Sequence, residues 1–169
     1  MIQAPVICEP GRASYSVSSH TKAGKVTAWG KHVKNDKTSE TFTWTTGSTA
    51  TYTASMSVSG NFSANAGIAK LAEVSLGGSV QYGKVKEKAT TSSYSRQVTF
   101  NKPGKWIIWS GVYTGSGNVK RSECNANGTA LKVTGNGAGK TFKKARVTGL
   151  TNCANSVSDA VERNAKAKC

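Results

Sequence analysis

The chain has 169 residues, enough for one domain with a proper core, and it is strongly basic: 23 Lys and Arg against eight Asp and Glu give a net charge of +15. Leu, Ile, Val and Phe total 28, with fifteen Val against four Leu, while Ser and Thr total 39. That balance excludes a helical bundle, a coiled coil and a multi-pass helical membrane protein, and it suits pleated sheets of β-branched and hydroxyl side chains.

In chain order, short alternating segments come first. Tyr15 and Val17 stand among serines, Val26, Ala28 and Gly30 alternate with Thr27, Trp29 and Lys31, and Phe42 and Trp44 alternate with threonines. From Thr49 the pattern lengthens. Ala50, Tyr52, Ala54, Met56, Val58, Gly60, Phe62 and Ala64 hold even positions, while Ser, Thr and Asn hold the odd positions from Thr49 to Ser63. No charged residue lies between Glu40 and Lys70. An apolar tip, Ala66 to Ala72 with Ile68 and Leu71, then leads to a return arm with Val74, Leu76, Val80 and Tyr82 on one side. The reading is a long amphipathic hairpin over 49–88.

Beyond it, Tyr94 to Phe100 reads as a strand, Asn101-Lys102-Pro103-Gly104 as a turn, and Trp106 to Tyr113 as a strand buried on both faces. Thr129 to Thr134 and Thr141 to Thr148 read as a hairpin around the glycine-rich 135–140. Only 154–167 looks helical: Ala154, Val157, Ala160, Val161 and Ala165 recur at three and four, with Ser156 and Asp159 as a capping-box variant. The fold class is therefore all-β, long antiparallel strands in an elongated sheet or sandwich, with a short C-terminal helix, in a single domain over 1–169.

The four cysteines, Cys8, Cys124, Cys153 and Cys169, have no metal-like or redox spacing, and an even count fits two disulfides in a secreted protein whose signal peptide has been removed. A hairpin brings its ends together, which favours Cys124–Cys153 and a disulfide-closed hairpin over 124–153. A helix between Cys153 and Cys169 would hold them roughly 24 Å apart. Cys8–Cys169 is the remaining pair.

A transmembrane strand needs about 9–11 residues with one uncharged lipid face. Both arms of 49–88 meet those terms. Tyr52, Ala54, Met56, Val58, Phe62, Ile68, Leu71, Val74, Leu76, Val80 and Tyr82 would then face lipid or a partner, and the hydroxyls would face water. An ordinary half-buried hairpin has the same alternation.

At these residues the chain resembles a known family. The Ser/Thr alternation, the stretch Ala66 to Ser75, and Val98-Thr99-Phe100 before Lys102-Pro103-Gly104-Lys105 look like the central module of aerolysin-type pore-forming toxins, in the epsilon-toxin and mosquitocidal-toxin branch. The chain is also similar to small secreted actinobacterial β-proteins that accompany toxin particles. The likeness covers about residues 38–122. It implies an elongated β architecture and a secreted component of a toxin system that oligomerises and inserts its hairpin. Family members carry a separate receptor-binding region for which this chain has little room, so an adaptor that joins partners by strand pairing, without a pore, is the alternative.

No catalytic constellation is present in the sequence. The phosphate-loop-like Gly135 to Thr141 lacks the required first glycine, since Thr134 stands there. His20 and His32 are isolated, no carboxylate pair suggests glycosidase chemistry, and no Gly-x-Ser-x-Gly elbow occurs. The reading is no enzyme, no cofactor and no metal. Basic residues gather at Lys22–Lys37, Lys84–Lys88 and Lys140–Arg146 rather than in one stripe. With few aromatics interleaved, nucleic acid is disfavoured. The expected partners are copies of itself, other toxin-complex subunits, and an anionic membrane or cell-envelope polymer.

Overall fold

Two strands of exceptional length organise the chain. The computed structural model describes residues 5–91 and 94–169. Strand β1 (Ala13–Lys34) has 22 residues and β8 (Gly104–Cys124) has 21, and they pair antiparallel from Ala13↔Glu123 to Lys34↔Gly104. At about 3.3 Å per residue this ribbon runs some 70 Å. β-Bulges near Ser18 and Thr27 interrupt the register.

The other strands are β2 (Glu40–Thr45), β3 (Ser48–Thr49), β4 (Tyr52–Thr53), β5 (Ser55–Gly60), β6 (Lys88–Ala89), β7 (Ser95–Phe100), β9 (Leu131–Phe142) and β10 (Val147–Asn152). The main sheet runs β3-β1-β8-β9-β5, and β10 pairs with the first part of β8. β2 pairs with β7, and β4 with β6. The fold is thus all-β and antiparallel, with two helices, α1 (Ala64–Leu76) and the short C-terminal α2 (Ala160–Lys166).

The 49–88 hairpin does not form as expected. Its first arm is broken into β3, β4 and β5, and the expected tip and part of the return arm fold as α1. The hydroxyl alternation ends at Ser63, whose side chain accepts the Ala66 N–H at 3.3 Å and caps the helix. From there Gly67, Ile68, Leu71, Ala72 and Ser75 repeat at helical spacing and are the residues that bury. Gly77, at φ 117°, ends the helix, and its N–H bonds to the Ala72 carbonyl.

Glycines explain how a helix lies against a strand ladder here. Gly115 on β8 and Gly137 on β9 face α1 and Phe62; a Cβ at Gly137 would stand 2.7 Å from the Phe62 ring and 2.8 Å from Met56 Sδ. The expected turn at 135–140 is therefore strand interior, and its alternate glycines form a floor without side chains. Ala54, Met56, Ile68, Leu71, Val119 and Phe142 pack above that floor as one core cluster.

A second cluster joins α2 to the ribbon through Val26, Ile107, Trp109, Val161 and Ala165. Trp109 Nε1 donates to Thr151 Oγ1 at 2.9 Å, and Thr151 donates to Glu162 Oε1 at 3.2 Å, linking β8, β10 and α2. A third cluster sets Trp44, Val98 and Phe100 of the β2–β7 pair on Ala28 and Ile108.

The disulfides differ from both expected pairs. Cys8 bonds Cys124, and Cys153 bonds Cys169, each with Cα atoms 5.9 Å apart. Cys124–Cys153 is absent because Cys124 ends β8, beside the chain entering β1, where the Gly11 N–H reaches the Cys124 carbonyl. Cys153–Cys169 closes because α2 has only seven residues. Residues 154–159 are turn and loop, and Asp159 caps the helix where Ser156 was expected to open it. Loop length sets the expected effect. Serine at both Cys153 and Cys169 should cost about 3 kcal/mol in a denaturant titration, and at Cys8 and Cys124 nearer 5 kcal/mol. Nonreducing peptide mapping should return these two pairs.

Candidate functional site: an open-edged polar sheet

Across β1, β8, β9 and β5 the registers align in level rows. Val17, Val119, Gly137 and Val58 form one row, and His20, Gly117, Gly139 and Met56 another. Both rows face one side of the sheet, and the rows between them face the other. One face carries the glycine floor and receives α1; the other presents Ser19, Asn118, Ala138 and Ser57 in one row and Ser16, Lys120, Asn136 and Ser59 in the next, all exposed. An open hollow of about 440 Å³ lies over this polar face, lined by Ser18, Ser57, Ser59, Asn118, Lys120 and Asn136 among others. Hydroxyl and amide side chains share it with Val58, Val119 and Ala138.

Both lateral edges of this four-strand stretch are open. Ala54 exchanges backbone bonds with the 84–87 turn: its N–H reaches the Glu87 carbonyl at 2.9 Å, and its carbonyl accepts the Lys86 N–H at 2.8 Å. Two-residue periodicity then turns the backbone groups of Met56 and Val58 away from β9, where they meet no partner among the described residues. On the far edge, Val26 N–H points outward to Asn164 Oδ1 at 2.8 Å, so His20 and Lys22 on the same parity point outward too. Nothing among the described residues pairs with them.

Helix α2 therefore decides where the β1 edge closes. Its cap, Asp159 Oδ1, accepts the N–H groups of Val161 and Glu162 at 2.9 and 3.1 Å, while Asp159 Oδ2 accepts the Tyr113 hydroxyl at 2.6 Å. Burial pushes the Asp159 carboxyl upward, but the Tyr113 hydroxyl, the two N–H groups and nearby Arg163 together hold it below its ordinary value. A depressed carboxylate stabilises the fold above the ordinary Asp range and loses that contribution as pH falls through its folded pKa. Asp159→Ala should cost about 1 kcal/mol at neutral pH. Thermal melts should show that difference shrinking once the pH drops below about 3.9, the ordinary Asp value.

The structure divides the eleven residues expected to face lipid or a partner. Ala54, Met56, Ile68 and Leu71 are buried; Tyr52, Phe62, Leu76, Val80 and Tyr82 are half-buried; Val58 and Val74 are 48% and 42% exposed. They do not form one continuous face, since Ile68, Leu71, Val74 and Leu76 belong to a helix. Burial raises the Tyr52 phenol above its ordinary pKa, opposed by a Thr114 hydroxyl bond, and Lys140 Nζ sits 5.0 Å from its ring centroid. His32 is stacked between Phe42 and Phe100 at 4.6 and 4.7 Å. Among the described residues no three His, Cys, Asp or Glu side chains gather as a metal site would require.

The open edges were missed in the sequence, because an edge is defined by what fails to pair with it.

No protein-family profile matches the sequence, and no curated protein matches it. Among solved structures, the parasporin-2 toxin of Bacillus thuringiensis, described as recognising cancer cells, aligns with 84% of this chain and 72% of its own. The identity is 12% and the TM-score 0.32. Likeness at this level defines no family for the chain.

The glycine floor has a direct test. Gly137→Val should destabilise the protein by about 1–3 kcal/mol through overpacking against Phe62 and Met56. Ala138→Val, on the open face, should shift the denaturation midpoint little.

Proposed function

We propose that the protein is a secreted, non-enzymatic component of a toxin system that assembles by strand pairing at the edges of its main sheet. The toxin setting follows the resemblance of residues 38–122; the mode of assembly follows from geometry. The supporting observation is the pair of open edges at one level, with outward-pointing groups at Met56 on β5 and His20 on β1. Four strands separate the outer sides, so these edge strands run in opposite directions. Copies related by rotation about an axis along the strands would therefore join β5 to β1 antiparallel, in a head-to-tail contact that closes into a ring or continues as a filament. Other subunits with an exposed edge would pair in the same way.

Proline provides the test, because it removes an edge N–H without disturbing the ladder inside the molecule. Val58→Pro and His20→Pro should each hold the protein as a monomer in sedimentation velocity, with melting temperatures close to wild type. The wild type should form larger species as concentration rises or on anionic vesicles. A wild type that remains monomeric in both settings would overturn the proposal.

A second reading, insertion of 49–88 into a membrane, is favoured by the charge-free stretch between Glu40 and Lys70. Against it stands the burial of Ile68 and Leu71, at 1% and 0% exposure, each worth about 1.5–3 kcal/mol that insertion must recover from lipid or from neighbouring copies. Val58→Lys separates the two. Because Val58 is already half open to water, the variant monomer should lose less than about 1 kcal/mol. If the segment crosses lipid, the same lysine should abolish dye release from liposomes at about 2–4 kcal/mol per subunit. Wild-type assemblies that release no dye select the adaptor.

A further inference from the structure

Two of the basic clusters, far apart in sequence, meet in space. Lys88 from β6, with Lys144 and Arg146 from the β9–β10 connection, surround a cavity of about 220 Å³. Thr27 and Thr91 line it with hydroxyl oxygens 2.6 Å apart, and both residues are almost fully buried. Thr90 is exposed in the lining, and Val112 and Phe142 supply an apolar wall. One carboxylate enters: Glu87, whose Oε2 lies 2.9 Å from Lys144 Nζ. Among the described residues Lys88 and Arg146 have no acidic partner, and the Arg146 guanidinium rests 5.9 Å from the Tyr94 ring centroid.

Three exposed cations around a half-open pocket with one acid among them repel one another, and an anion relieves that repulsion. Arginine offers paired N–H donors suited to a planar or tetrahedral oxyanion, and lysines add point charge. The volume equals roughly seven waters at about 30 Å³ each, more than a bare ion needs. The apolar wall suits the carbon that an ester carries.

We propose that this cavity binds a phosphate monoester, its phosphoryl oxygens held by Arg146, Lys88 and Lys144 and its organic group against Val112 and Phe142. A soluble phosphorylated metabolite and a lipid headgroup share this chemistry. None of the outward-pointing edge residues, His20, Lys22, Met56 and Val58, lines the cavity, so its occupancy does not depend on assembly. The Val58→Pro monomer should therefore bind as the wild type does.

The test is calorimetric titration with inorganic phosphate and with phosphorylethanolamine, beside flotation with phosphatidylcholine vesicles containing phosphatidic acid or, as a diester control, phosphatidylserine. Wild type should bind phosphorylethanolamine saturably at one site. Arg146→Gln and Lys88→Gln should each weaken it about tenfold, the loss of a charge-assisted bond, while their melting curves stay cooperative. Lys37→Gln removes the same charge elsewhere and should change affinity less than about twofold. Preference for phosphatidic acid over phosphatidylserine, lost in Arg146→Gln, assigns the lipid source; binding confined to the soluble ester assigns the other. Absence of saturable binding to either soluble probe, or an equal loss with Lys37→Gln, refutes the site.

Discussion

Nearly everything else hangs on the β1–β8 ladder. Its continuity from Ala13 to Lys34 gives a scaffold on which β9 and β5 lie at one end and β10 and α2 at the other. A pairing of this length is non-local, so loop closure must precede its stabilisation, and folding is expected to be slow for the size. The three core clusters sit along this ladder, and each takes at least one residue from β1 or β8. The ladder also creates the edges. A strand longer than its outer neighbours leaves backbone unpaired wherever those neighbours stop.

The surface chemistry divides along the same axis. The face that receives α1 is smoothed by glycine, so the helix comes close to the sheet. Across β1, β8, β9 and β5 the opposite face holds serine and asparagine, with lysine at intervals, and these residues are exposed. Positive charge is concentrated where short connections leave the sheet, at 84–88 and 140–146, which places several cations around one cavity without setting them side by side on a strand.

The sequence disclosed strands better than their neighbours. Trp106 to Tyr113 reads as buried on both faces, and Ile107, Ile108, Trp109 and Ser110 are buried because β10 and β1 flank them while side chains cover both sides. The Phe42 and Val98 segments alternate and pair as strands. The helix α1 escaped because a period-two run passes into a period-3.6 run at Ser63, a residue acceptable to both patterns. The alternation of Gly135, Gly137 and Gly139 carried strand information, but glycine density suggested a turn. Cysteine pairing failed on a boundary: α2 starts at Ala160, and six residues of loop convert a 24 Å span into bonding distance. The open edges and the cation-lined cavity depend on contacts between distant segments, for which local patterns have no signal.

The two cystines lie at opposite ends of the long ribbon. Cys124 is the last residue of β8, bonded to the chain that leads into β1, while the Cys153 N–H bonds the Lys105 carbonyl at the start of β8. Strand pairs ordinarily fray from their tips, where the last hydrogen bonds lack neighbours on one side. Here Cys8–Cys124 fastens one tip, and at the other the Cys153–Cys169 unit bonds both strands, through the Lys105 carbonyl of β8 and the Lys31 ammonium of β1. Breathing must start from the flanks, at β5 or the unsealed length of β1, so amide hydrogen exchange would be fastest along the sides of the sheet and slow at its ends. A stapled frame of this kind can surrender a side strand and take another in its place while the ribbon itself stays intact.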